Sequence, residues 1–224
     1  FVFRREEAAT ATDWRRYYLK TPFTARLTRR YTTAVLVSAL KRFAGEEVRS
    51  VVELGGGNSC FFDDVCRRLN PEVYHVVDTS DYGLDLLRGR AAQDPRLRLH
   101  RRDVMEPGLD IEADAAFSVG LVEHFDPTGT RKAIEAHLRL LRPGGHALIS
   151  APTPTWLYRS ARSVCEFFGI WRFPDERPLS ADEIRDCVSG RGEVVFEKVL
   201  WPLVFTQRLM VIRKFAAGQG APTI

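Results

Sequence analysis

The chain is expected to adopt an α/β fold: a seven-stranded, doubly wound sheet, mostly parallel, closed by an antiparallel terminal hairpin and preceded by N-terminal helices. Three observations predict it. Strand-like and helix-like runs alternate from residue 50 to residue 152, the pattern of right-handed βαβ crossovers and a sheet covered on both faces. Three consecutive glycines, Gly55 to Gly57, fall in the first strand-to-helix turn. Near the C-terminus two strand-like runs are joined too closely for a crossover helix, so they must pair antiparallel.

In order, "TDWRRYYLKTP" reads as a helix opened by Thr12 or Asp13 and broken at Pro22, and "TARLTRRYTTAVLVSALKRFAG" as a second, with Gly45 suited to its C-terminal cap. The alternation then runs "SVVELG" strand, "SCFFDDVCRRL" helix, "VYHVVD" strand, "DYGLDLLRGRA" helix, "RLRLHRRDV" strand. It continues as "AAFSVG" strand, "TRKAIEAHLRLL" helix and "GHALISAP" strand, with "RPGG" between the last two as a turn by composition. "SADEI" is a capping box, Ser180 with Glu183, opening a short helix that Gly190 can close. The hairpin runs are "EVVFEKVLW" and "FTQRLMVIRK", joined through "PLV". These elements divide the chain into an N-terminal helical lid over residues 1–44 and a ligand-binding domain over 45–224, within which 153–180 is a substrate-side insertion.

Composition sets the bounds. With 224 residues, 45% hydrophobic and 28% charged, the chain has the make-up of one globular domain with a sizeable core. Four cysteines without CxxC spacing suit a reducing cytoplasm better than a disulfide framework or a zinc site. The opening "FVFRREEAAT" is too charged for a signal peptide, and no run approaches the ~20 apolar residues of a membrane span. A net charge of +4, from 33 basic and 29 acidic residues, is a mixed surface, which does not argue for nucleic acid.

The glycines lie where an open α/β sheet binds its ligand, at the carboxyl ends of the strands. Without Cβ atoms they admit a ligand close to the backbone, and Ser59 can cap the following helix. A dinucleotide fingerprint is one reading, since Gly55-x-Gly57 begins GxGxxG, but Cys60 holds the third glycine position. Glu53, two residues before the first glycine, would repel a pyrophosphate and suits a cationic or amine-bearing ligand.

From Glu53 the segment reads E-x-G-x-G-x-S, and it resembles motif I of the class I S-adenosylmethionine-dependent methyltransferases, E/D-x-G-x-G-x-G, with Ser59 in place of the last glycine. The resemblance spans roughly residues 45 to 215 and implies a Rossmann-like fold, S-adenosyl-L-methionine as cofactor and S-adenosyl-L-homocysteine as product. It implies that Glu53, Gly55, Gly56 and Gly57 line the cofactor, that Asp78 accepts from both ribose hydroxyls with Thr79 flanking the adenine, and that Asp103 receives the adenine amino group with Val104 beside the ring. Val119 and Gly120 would border the methionine portion.

Methyl transfer from a sulfonium needs alignment and desolvation of the acceptor above all. If the acceptor is a hydroxyl its proton must leave, and His124, just past the fourth strand, is the histidine placed to take it, with Glu123 beside it. "VEHF" also resembles the E-H pair of ubiquinone-pathway and small-RNA methyltransferases, in which ExxEH supplies metal ligands, but Gly120 stands where those have a glutamate. Two ligands fall short of a stable site, so no metal is expected. Aromatic surface for the substrate comes from Trp14, Tyr17 and Tyr18 near the start and from Trp156 and Tyr158 after the fifth strand, where core packing at helical spacing is the competing account. The reading is a small-molecule methyltransferase acting on oxygen; an RNA methyltransferase and a non-catalytic protein that keeps the fold are the alternatives.

Overall fold

The computed structural model describes residues 11–19, 23–45, 47–200 and 206–216, with the side chains of Tyr18 and residues 23–27 excepted. Seven strands form one sheet: β1 (Ser50–Leu54), β2 (Val73–Asp78), β3 (Leu97–Arg101), β4 (Ala113–Val119), β5 (Leu141–Pro152), β6 (Gly192–Val199) and β7 (Gln207–Lys214). Their order is β3-β2-β1-β4-β5-β7-β6. Strands β1 to β5 pair in parallel, while β7 runs antiparallel to both β5 and β6. The hairpin therefore closes the sheet as expected, although its "PLV" connection lies outside the described residues.

Alternation along each strand divides the core in two. Val52, Val77, Ala116 and Ile149 face one cluster; Val51, Val76, Phe117 and Leu148 face the other. Helices α2 (Phe23–Ala44), α3 (Phe62–Leu69) and α4 (Asp81–Ala91) cover the second face, and α5 (Pro127–Arg139) and α7 (Ala181–Val188) the first. Local chemistry sets their ends. Asp126 accepts from the Gly129 N–H and is followed by Pro127 in the first turn of α5; Ser180 Oγ accepts from the Glu183 N–H at α7.

Three expectations need correction. The helical lid cannot reach residue 44, because Leu36, Val37, Ala39 and Leu40 of α2 are buried against the sheet; only α1 (Trp14–Leu19) stands apart from the core. "RPGG" is not a turn before β5 but part of it. Gly144 takes φ +76°, and the register against β4 shifts between Ala113 and Ala115, as a bulge requires. Lastly, β3 ends at Arg101, two residues short of Asp103.

Candidate active site

At the sheet's centre the strand order reverses between β1 and β4, and just beyond their carboxyl ends lies a cavity of about 760 Å³. One wall is the loop after β1. Gly55 adopts φ +73°, and a Cβ there would lie 2.8 Å from Leu121 Cδ1; a Cβ on Gly56 would lie 2.6 Å from Glu53 Cδ. The loop thus folds over the Glu53 side chain, closer than any side-chain-bearing residue could. Glu53 is buried, and Oε2 accepts from the Tyr74 hydroxyl at 2.6 Å. Burial lifts its pKa to about 7 against the lowering effect of hydrogen bonds from Ser59 and Tyr74. Ser59 Oγ accepts from the Phe61 and Phe62 N–H groups at the start of α3, which is the work the serine does in place of a glycine.

Asp78 ties this loop to the end of β2. Its carboxylate accepts from the Gly57 N–H and the Ser80 N–H, each at 2.7 Å, and burial raises its pKa. Val119 and Gly120 at the end of β4 line the same cavity, and Gly120 adopts φ +71°. Asp78 itself does not line the cavity, nor do four others of the expected cofactor set: Gly57 is buried within the loop, Thr79 is exposed, and Asp103 and Val104 lie beyond β3. Asp103 is exposed, with a carboxylate oxygen accepting from the Met105 N–H; Val104 is turned into the core.

The opposite wall is assembled from three distant segments. Past β4, the 3₁₀ turn Val122–His124 places Glu123 and His124 on the cavity. His124 Nδ1 donates to Asp175 Oδ1 at 3.1 Å, which leaves Nε2 to carry the lone pair of the neutral ring. Burial lowers the His124 pKa, and the Asp175 carboxylate opposes that. Asp175 also accepts from the Thr12 N–H and hydroxyl just before α1, and Trp14 meets the His124 ring edge-on at a centroid distance of 4.9 Å. Glu176 accepts from the Tyr158 hydroxyl, and Trp171 and Phe173 complete the aromatic lining.

Glu123 is 1% exposed, its Oε2 has no hydrogen-bond partner among the described residues, and burial first, then Glu176 and Asp175, hold its pKa well above the usual carboxylate range. Glu123, His124 and Glu176 each bring one ligand atom within 4.8 Å of the others'. The missing third ligand at Gly120 is thus replaced in space by Glu176, 56 positions on in the chain.

Of the expected substrate residues, Trp14, Tyr17 and Tyr158 line the cavity, and the side chain of Tyr18 lies outside the described residues. Trp156 does not line it. It opens α6 (Trp156–Phe167) on the face opposite Tyr158 and is 77% exposed. Asp175, Glu176, Trp171 and Phe173 were not singled out from the sequence; their one signal is an aromatic run ending in two acids between Pro174 and Pro178.

Residues 51–145 match a family described as a methyltransferase domain. The chain thus carries a methyltransferase domain. No curated protein sequence matches it. In structure the chain is similar to the magnesium protoporphyrin IX methyltransferase ChlM of Synechocystis PCC 6803 with bound S-adenosylhomocysteine, at 13% identity over 90% of this chain and 92% of that one, with a TM-score of 0.70. It is similar also to the N-methyltransferase NodS of Bradyrhizobium japonicum WM9, at 15% identity over 88% and 91%, with a TM-score of 0.64. A third is the 1,6-didemethyltoxoflavin-N1-methyltransferase of Burkholderia thailandensis, at 19% identity over 91% and 86%, with a TM-score of 0.68. At these identities the likenesses show the fold.

Proposed function

We propose that the methyltransferase moves the sulfonium methyl group to a hydroxyl oxygen of a small-molecule acceptor, with His124 as the general base and Asp175 as the residue that orients it. The observation that carries this is the Asp175–His124 hydrogen bond at the wall of the cavity: it fixes the tautomer with Nε2 unprotonated, the form a base needs.

The near wall fits the cofactor. Gly55 and Gly56 make a cradle that a Cβ would fill, and the buried Glu53 carboxyl suits an amino group. Glu53, Gly55, Gly56, Gly57, Val119 and Gly120 would hold the methionine portion and Asp78 and Thr79 the ribose side, whereas Asp103 and Val104, off the cavity, would take no part. S-adenosylmethionine supplies an electrophilic methyl carbon on a sulfonium. Opposite it, the aromatic rings of Trp14, Tyr17, Trp171 and Phe173 exclude water and align the acceptor. The acceptor oxygen bonds to the methyl carbon as the carbon–sulfur bond breaks, the electron pair stays on sulfur, and the hydroxyl proton passes to His124.

A second reading has its own observation. The convergence of Glu123, His124 and Glu176, with Glu123 Oε2 unpartnered among the described residues, is a ligand set that a divalent cation could occupy, and then His124 would be a ligand and not a base. One assay separates the two. Methyl transfer to a panel of hydroxyl and amine acceptors, read by mass spectrometry, should proceed on hydroxyls in the presence of EDTA and collapse in His124→Ala. Abolition by EDTA with rescue by Mg²⁺ would make the triad a metal site; transfer confined to amines would overturn oxygen as the acceptor atom.

A further inference from the structure

The face of α6 that looks away from the cavity is apolar and open. Trp156 is 77% exposed, Val164 55%, Phe167 84%, Phe168 68% and Ile170 63%. At 100° per residue, Trp156, Val164, Phe167 and Phe168 fall within one third of the helix circumference, while Tyr158 and Cys165 lie on the opposite side, where the Tyr158 ring is buried against the cavity. Among the described residues, no member of the two core clusters belongs to the outer stripe. Phe167 and Phe168, with ring centroids 5.3 Å apart at one end of the helix and Trp156 at the other, make a longer apolar stripe than the scattered single apolar residues of an ordinary surface.

We infer that this stripe docks on the surface of an anionic lipid bilayer. Its charge pattern argues for that occupant. Arg159 is exposed at its border, and the one acid of the helix, Glu166, is paired with Arg162 at 2.6 Å. A two-fold dimer through this face would set like guanidinium groups of the two copies near one another, while anionic headgroups complement them. Trp and Phe on the apolar side with Arg at the border is the make-up of a helix that lies in the membrane plane. Among the described residues no helix is long and apolar enough to cross a membrane, so the attachment is peripheral.

Docking is independent of the proposed reaction, and so is its test. The full chain is sedimented with vesicles of phosphatidylcholine alone and of phosphatidylcholine with phosphatidylglycerol. Binding should favour the anionic vesicles, weaken with added salt, and fall about ten-fold or more in the Phe167→Ser/Phe168→Ser double variant. Arg159→Glu should remove the preference for anionic lipid. Both residues of the double variant are exposed, so its melting temperature and its affinity for S-adenosylhomocysteine should match the parent, which separates lost docking from lost folding. Equal binding to neutral vesicles, or no binding to either, would overturn the inference. So would a dimer in solution that the double variant disperses, because the stripe would then be an interface between copies.

Discussion

The two walls of the cavity are built by opposite means. The near wall is one continuous loop, Glu53 to Ser59, whose shape comes from missing side chains and from backbone N–H groups tied to Asp78 and Ser59. The far wall has no such loop. It is made of side chains from the segment before α1, the turn after β4 and the segment after α6, joined by Thr12 to Asp175, Asp175 to His124 and Tyr158 to Glu176. The near wall is rigid, local and suited to a constant ligand; the far wall is a network of separate contributors whose loss one at a time can be tolerated structurally and felt chemically. That division suits a common cofactor on one side and an individual acceptor on the other.

The comparison breaks most sharply at His124. His124→Ala should lower turnover by about 10²–10⁴-fold with little change in S-adenosylhomocysteine affinity, because the residue sits on the far wall alone. Asp175→Asn should lower it less, and it carries a distinguishing pH signature. Neutral His124 is the competent form, so activity falls as pH drops through its pKa. Burial already holds that value below 6.5, and the Asp175 carboxylate pushes it up. Removing the charge must therefore move the acidic limb of the rate profile further down in pH. A lower rate with an unmoved limb would make Asp175 a structural residue only.

On the near wall the expected loss is of binding. Asp78→Ala should weaken S-adenosylhomocysteine by about 2–4 kcal/mol, since two charge-assisted hydrogen bonds to ribose would go. The Gly57 and Ser80 N–H groups would also lose their acceptor, so stability should drop by about 1–3 kcal/mol in the same protein. Asp103→Ala is the control. Its carboxylate holds only the Met105 N–H in an exposed loop, so about 1 kcal/mol of either quantity is the most it should cost. Calorimetry and thermal melting on both variants check this; intact affinity in Asp78→Ala would reduce that residue to a tie between loop and strand.

The same contrast explains what could be read from sequence. Glu53, the three glycines and Asp78 sit at fixed offsets from strand ends, and strand ends are visible in hydrophobic patterning, so the near wall was legible. The seven strands and the hairpin were legible for the same reason. Asp175 and Glu176 were not, because their importance depends on a segment of irregular chain returning over the sheet to meet His124, and nothing local encodes that return. Trp156 shows the converse error. Helical spacing placed it among core or substrate residues, but the side of α6 facing the protein is set by Tyr158 and its bond to Glu176, and Trp156 lies opposite. In β5, "RPGG" has the composition of a turn and sits within the strand as a bulge, because Leu141 before it and His146 after it both pair with β4.

The smallest expected effect concerns α1, where the far wall meets the outside. We expect the segment around α1 to close over the cavity when the cofactor side is filled. Trp14 and Tyr17 reach the cavity through ring contacts with His124 and Phe173, and Thr12 is bound to Asp175, so α1 is fastened to the far wall and, through Arg15 over the Tyr82 ring, to the surface of α4. Pro22, where the sequence breaks the first helix, lies outside the described residues. Tyr17 is partly exposed, and Arg29 donates to its hydroxyl at 3.2 Å. Tyr17→Ala should therefore cost about 1 kcal/mol of stability or less, whereas a core helix would lose several. Turnover should fall about ten-fold, because water would enter and the acceptor would be held less closely. Hydrogen exchange gives the direct test, with the buried half of α2 as internal reference. Amides of residues 14–19 should exchange fast in the ligand-free protein and slow markedly with S-adenosylhomocysteine, while those of residues 36–40 stay protected throughout. Equal, strong protection of both segments in both states would make α1 fixed structure, and the far wall would then be as rigid as the near one.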